Sequence, residues 1–126
     1  VTWRHDGASK IFEKISETYP VVGSKIDWSR LASHTGAKVW DLQQHALEFS
    51  KFFVRTSQAF PLGSEVIYVG DGLTDFSVHA PIHVIKDRLA SIFSIPQHHY
   101  FLGADLPWCM CFTMEGDMDF AFIKRR

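Results

Sequence analysis

The residue types best suited to chemistry fall into three groups. His98 and His99 precede the closely spaced carboxylates Glu115, Asp117 and Asp119, from which an acid–base pair for hydrolysis or RNA cleavage can be drawn if the later segment folds back beside the histidines. His79 and His83 stand four apart, as on one helical face, and Cys109 and Cys111 are separated by one residue; together they offer the nitrogen and sulfur ligands that zinc takes. Asp71 and Asp75 follow an apolar run in the string Tyr68-Val-Gly-Asp-Gly-Leu-Thr-Asp75, so a strand would deliver two close carboxylates to a hard cation such as magnesium.

Each group also has a plainer reading. The aspartate string resembles the metal-binding Gly-Asp-Gly-x-x-Asp loop of haloacid-dehalogenase-type phosphatases. Those enzymes also need two aspartates one residue apart near an early strand, and the only such pair here, Asp117 and Asp119, lies near the C-terminus; a solvated turn after a buried strand explains the string as well. Pro81 falls between the two histidines and interrupts the helix they require, and a Cys-x-Cys inside an aromatic strand supplies two small buried side chains, so no metal is expected. Histidines beside a strand start are ordinarily packing residues. The chain has no Gly-x-Ser-x-Gly, no Walker A loop and no Gly-x-Gly-x-x-Gly, which leaves acyl transfer, nucleotide hydrolysis and dinucleotide chemistry without support. No cofactor is implied.

The elements that must position these residues follow from periodicity and punctuation. Ile11, Phe12, Ile15 and Tyr19 recur at helical spacing between the N-cap residue Asp6 and the stop at Pro20. Asp27 can cap a second, short helix through Trp28, Leu31 and Ala32 that Gly36 closes. A long helix is expected from about Val39 to Ala59, with Leu42, Ala46, Phe49 and Phe53 on one face; the run Phe52-Phe-Val-Arg55 could alternatively begin a strand. The pattern then changes to the β-branched run Val66–Val69, a strand buried on both faces. Phe76 and Val78 extend the sheet, and a helix from Pro81 to Pro96 carries Ile82, Ile85, Leu89, Ile92 and Phe93. Strands at 98–102, 108–114 and 118–123, with a turn around Glu115-Gly-Asp117, make a C-terminal hairpin. Along 108–114, Trp108, Met110, Phe112 and Met114 share one face, with helices expected over one side of the sheet and a loop or partner over the other. The fold class is α+β, with a helical N-terminal half packed on a mostly antiparallel sheet of about four strands, and residues 1–126 form a single domain.

Composition agrees with a packed interior, since hydrophobic residues make up 46% and eleven phenylalanines and four tryptophans are available for a core. Cys109 and Cys111 point the same way in a strand and are poorly placed to pair, which suits a reducing compartment. No segment approaches the roughly 18 consecutive apolar residues of a membrane span, and the N-terminus lacks a signal-peptide pattern; a cytoplasmic protein without a membrane partner is expected. The net charge is −1, but residues 64–123 carry two basic residues against eight acidic ones. Only Lys124, Arg125 and Arg126 restore the balance, and such a tail is ordinarily solvated, so no direct nucleic-acid contact is expected.

Val66-Ile-Tyr-Val-Gly-Asp71, the amphipathic segment after Pro81, Ile95-Pro-Gln-His-His-Tyr100, Trp108-Cys and Glu115-Gly-Asp-Met-Asp-Phe120 resemble small bacterial immunity proteins, the cytoplasmic antidotes of contact-dependent growth inhibition and related polymorphic toxins. The resemblance covers roughly residues 64–123, with Tyr19-Pro-Val-Val-Gly23 fitting more loosely. It implies a protein that binds one cognate toxin C-terminal domain, usually a nuclease, in a 1:1 complex and covers its active site or blocks its target. The acidic second half suits a basic partner. On this reading Asp71, Asp75, Glu115, Asp117 and Asp119 are contact candidates, with Tyr100 or Trp108 as aromatic anchors, although the strand pattern favours burial of Trp108 in the sheet. Reversing Asp117 and Asp119 to lysine is then expected to weaken binding with stability nearly unchanged. A small hydrolase or nuclease using His98 or His99 with the hairpin carboxylates is the alternative.

Overall fold

The computed structural model of the chain describes residues 1–4, 7–23, 25–31, 33–61, 63–104 and 106–123. Its elements run β1 (Thr2–Arg4), α1 (Gly7–Thr18), β2 (Val21–Val22), β3 (Lys25–Ile26), β4 (Thr35–Lys38), α2 (His45–Ser57), β5 (Glu65–Gly70), β6 (Ser77–Pro81), α3 (Ile82–Lys86), α4 (Leu89–Phe93), β7 (His99–Gly103), β8 (Trp108–Phe112) and β9 (Asp117–Phe122). Single 3₁₀ turns at Trp28–Arg30 and Leu42–Gln44 precede β4 and α2. The fold is α+β, as the sequence indicates.

The sheet is larger than the sequence suggests. Seven strands pair in the order β1-β6-β5-β7-β8-β9-β4, every pairing antiparallel, and β2 and β3 form a separate hairpin. The strands at 66–69, 98–102, 108–114 and 118–123 are present within a few residues of their expected bounds. The additional strands β1 to β4 are two to four residues long and largely exposed, so they carry neither the length nor the alternation by which a strand is recognised. They place strands in the N-terminal half, and α3 and α4 place helices in the second.

Helices cover both faces of the sheet rather than one. On one face Phe49, Phe52 and Phe53 of α2, with Ile82, Ile85 and Leu89 from the α3–α4 segment, pack against Val66, Tyr68, Phe101, Trp108, Met110, Phe112, Met118 and Phe120. On the other, Ala8, Ile11 and Ile15 of α1, with Tyr19 and Ile26, cover Ile67, Val69, Tyr100, Leu102, Cys109 and Cys111. The near-continuous apolar strands β5, β7 and β8 are the direct consequence, because a strand sandwiched on both sides has no solvent face to show. Met114 lies beyond β8 and is 52% exposed, which removes it from the expected Trp108–Met114 face.

Three helical expectations are revised. The short helix after Asp27 is one 3₁₀ turn, and Gly36 pairs with Asp119 inside β4 instead of closing it. The long helix begins at His45, leaving Leu42 75% exposed; the buried face is Phe49, Phe52 and Phe53. The helix after Pro81 is two short ones, broken where the Asp87 and Arg88 amides bond back to His83 and Ile85. The α1 periodicity holds, with Ile11, Ile15 and Tyr19 buried; its expected cap, Asp6, lies outside the described residues.

Candidate partner-binding surface

The antiparallel register sets one line of residues side by side on the α1 face of the sheet. Arg4 pairs with Ser77, Ser77 with Val69, Val69 with Tyr100, Tyr100 with Cys111, Cys111 with Asp119 and Asp119 with Gly36. Because side chains alternate between faces, Asp117 falls on the same face as Asp119. Residues far apart in the chain are thereby ordered from the basic edge strand β1 to the acidic strand β9, which β4 flanks.

At the acidic edge each carboxylate is anchored differently. Asp71 closes the end of β5: its Oδ1 accepts the His98 N–H at 3.0 Å while its own N–H donates to the His98 carbonyl at 3.2 Å. Glu115 sits in the β8–β9 turn with Oε2 4.0 Å from His98 Nδ1, and its carboxyl is held below the usual range first by its own backbone N–H and then by His98. Gly116 makes that turn possible, since its φ of 96° is open to few other residues. Asp117 accepts the Thr113 hydroxyl at 3.2 Å and lies 3.7 Å from Lys38 Nζ. Asp119 meets His34 Nε2 at 2.6 Å, and the Trp28 ring stacks on that imidazole with centroids 5.4 Å apart. Burial raises the Asp119 carboxyl against the opposing pull of His34.

These contacts change what two of the carboxylates can be used for. Asp119 is largely buried and paired across the β4–β9 ladder, so reversing its charge would strand a lysine beside His34 and cannot be neutral for stability. Glu115 and Asp117 are the more exposed members, and reversing them forfeits only surface contacts, to His98 for Glu115 and to Thr113 and Lys38 for Asp117. Asp75 lies apart from this group, at the start of α1, where its carbonyl accepts the Ala8 N–H at 3.2 Å.

Beside the carboxylates, α1 and the β2–β3 hairpin enclose a cleft of about 380 Å³ lined by Phe12, Ile15, Val21 and Ile26, with Tyr100 and Asp71 completing it. Tyr100 is 6% exposed and meets the Phe12 ring edge-on at 5.2 Å. It is a wall of the cleft and not a projecting anchor, and burial, with Cys111 next to it, pushes its hydroxyl well above the ordinary range. Trp108 is on the opposite face, stacked on Phe60 at 5.0 Å and 5% exposed, which assigns it to the core. Cys109 and Cys111 are free, buried thiols whose ionisation burial opposes.

The loop that suggested magnesium is organised by Gln97, a residue that no sequence pattern singles out. Its Oε1 accepts the backbone N–H groups of Gly72, Leu73 and Thr74 at 3.2, 2.8 and 3.2 Å. Successive amides aimed at one point form a concavity suited to an acceptor, and here the side-chain amide fills it. Gln97 Nε2 donates to Thr74 Oγ1 at 3.0 Å and Tyr68 Oη at 3.1 Å, and Gly70 leaves the room this requires, because a methyl at that position would overlap the Gln97 amide. Tyr68 in turn donates to His99 Nδ1 at 2.7 Å, and His99 Nε2 donates to the Ile95 carbonyl at 3.1 Å. Burial lifts the Tyr68 hydroxyl to about 12. Gln97→Leu should lower stability by about 1–2 kcal/mol, less than three fully buried orphan amides would cost because water reaches this loop. Urea denaturation measures it, and an unchanged midpoint would show that solvent replaces the amide without loss.

The remaining chemical candidates come together only in part, His98 with Glu115 being the pair that meets. The hairpin tip does fold beside His98, but His98 Nδ1 is occupied by the Met114 N–H at 2.9 Å, and His99 is 2% exposed with both ring nitrogens bonded. His79 pairs with Ile67, Ile67 with Leu102 and Leu102 with Cys109, which separates the histidine from that cysteine by three strand spacings, about 14 Å. Among the described residues, no three His, Cys, Asp or Glu side chains are arranged to hold a metal ion, and no helix is long and apolar enough to cross a membrane. No protein-family model, curated protein or solved structure matches this chain.

Proposed function

We propose that the chain is an immunity-type protein of the cytoplasm that binds and neutralises one cognate toxin domain, a nuclease or similar poison, through the acidic edge of the α1 face. The observation that carries this reading is the gathering of Asp71, Glu115, Asp117 and Asp119 next to an apolar cleft walled by Phe12 and Tyr100. An apolar recess with carboxylates along one side suits a protein-binding hot spot, where the centre supplies affinity and the charged side supplies steering and register. A basic segment with an aliphatic or aromatic side chain fits both parts.

The test is calorimetric titration of the chain against the C-terminal domain encoded immediately upstream, since the resemblance implies that toxin and antidote genes adjoin. A 1:1 complex of nanomolar order, about −12 kcal/mol, is expected. Glu115→Lys with Asp117→Lys should weaken it by about tenfold or more, about 1.4 kcal/mol, through faster dissociation and slower salt-sensitive association, while the thermal midpoint stays within a degree or two of the parent by the usual scale of surface substitutions. Undiminished affinity in that variant would remove this edge from the interface. Absence of any binding to the upstream domain would overturn the antidote reading.

A further inference from the structure

The opposite end of the same face carries a second feature that the toxin-binding reading does not use. Between α1 and the β1–β6 edge lies a cleft of about 410 Å³ lined by Arg4, Lys10, Lys14, His79, Ser77, Ile11 and Ile67. Lys10 and Lys14 are one helical turn apart on α1, so both lean over the same part of the sheet. Arg4 reaches it from β1, in register with Ser77.

Among the described residues, no ion pair neutralises this convergence. The ion pairs among the described residues join His34 to Asp119, Lys38 to Asp117, Lys51 to Glu48 and His98 to Glu115; Arg4, Lys10 and Lys14 take part in none, and no described carboxylate lines the cleft. Three like charges facing one concavity repel one another, a cost that a bound anion removes. The positive field is felt by His79, whose affinity for a proton is lowered by burial first and then by Arg4 and Lys14, with Glu65 acting the other way.

We propose that this cleft is a binding site for a small phosphate-bearing ligand, its phosphate groups held by Arg4, Lys10 and Lys14 with Ser77 and His79 at the floor. Guanidinium is suited to two-point binding of phosphate oxygens, and lysine supplies a mobile point charge. Ile11 and Ile67 give the cleft an apolar wall against which the rest of such a ligand packs. The volume is in the range of small-molecule sites.

The experiment is titration calorimetry of the whole chain with three probes at matched ionic strength: inorganic phosphate, inorganic triphosphate and adenosine triphosphate, without metal. Saturable 1:1 binding of at least one probe is expected, together with movement of the His79 ring resonances in the proton NMR spectrum while those of His98 stay fixed. Equal affinity for the two triphosphates would assign recognition to the phosphate chain, and tighter binding of the nucleotide would add the apolar wall; both support the site. Lys10→Gln with Lys14→Gln, exposed positions that leave the fold intact, should weaken binding by tenfold or more. Lys51→Gln on α2, whose partner is Glu48 at 3.5 Å, should leave it unchanged. The proposal is overturned by absence of saturable binding of all three probes or by equal losses in the two variants.

Discussion

Phe112→Ala is expected to lower the unfolding free energy by about 3–5 kcal/mol, the range for emptying an aromatic site in a packed core. The side chain is fully buried and its ring touches four others, with centroids 5.1 Å from Phe49, 5.8 Å from Phe52, 4.8 Å from Phe93 and 5.8 Å from Phe101. Those partners come from α2, α4 and β7, so the lost ring withdraws contact from three elements at once and the cavity cannot close by moving one of them. Guanidinium denaturation of the parent and variant measures the difference. A loss under about 1 kcal/mol would mean that the elements collapse onto the vacated space. Phe112→Leu should recover a large part of the loss, because it restores volume without the edge-to-face geometry.

The second large effect is a dependence of stability on pH that originates at His99. Burial, with a smaller contribution from neighbouring His98, lowers its pKa from 6.5 to about 4, although the bond to the Ile95 carbonyl pulls the other way. The sign follows from proton counting. Between pH 6.5 and 4 the unfolded chain takes up a proton at this ring that the folded chain refuses, so protons favour unfolding. The contribution is fully present above pH 6.5 and is lost as the pH falls towards 4. The interval of about 2.5 pH units corresponds to about 3 kcal/mol at most. His99→Gln supplies the comparison, since an amide can accept from Tyr68 without titrating. Denaturation at pH 7 and pH 4 should show the parent losing about 3 kcal/mol more than the variant. Equal losses would show that the folded protein accommodates the imidazolium, contrary to its burial and to the donor already pointing at Nδ1.

Both effects arise on the α2 face, away from the acidic edge and the basic cleft, and this separation is useful. Substitutions at Glu115, Asp117, Lys10 and Lys14 leave the Phe112 cluster untouched, so a change in binding there is not a disguised change in folding. The α1 face carries opposite charge at its two ends and is therefore polarised, although the chain as a whole has a net charge of only −1. A net charge averages over the surface, whereas steering depends on how the charge is distributed.

The sequence by itself determined the α+β class, the α1 helix with Ile11, Ile15 and Tyr19 inward, the doubly buried β5 and the C-terminal hairpin. Each of these is written in the spacing of neighbouring residues, and helix and strand periods act over a few residues. It also showed which carboxylates were available, Asp71, Glu115, Asp117 and Asp119, and that the second half is acidic. Only the tertiary structure decided that β1 and β4 exist, because Thr2–Arg4 and Thr35–Lys38 become strands by pairing with Ser77–His79 and Asp117–Phe120. It likewise decided that Asp117 and Asp119 face Lys38 and His34, that Tyr100 is a wall, that Gln97 organises the loop after β5, and that Arg4 joins Lys10 and Lys14. The physical reason is common to all of these. Local preference is encoded by adjacent side chains, but the register of an antiparallel sheet brings together residues as distant as Gly36 and Asp119, and those partnerships exist only once the long-range pairings have formed.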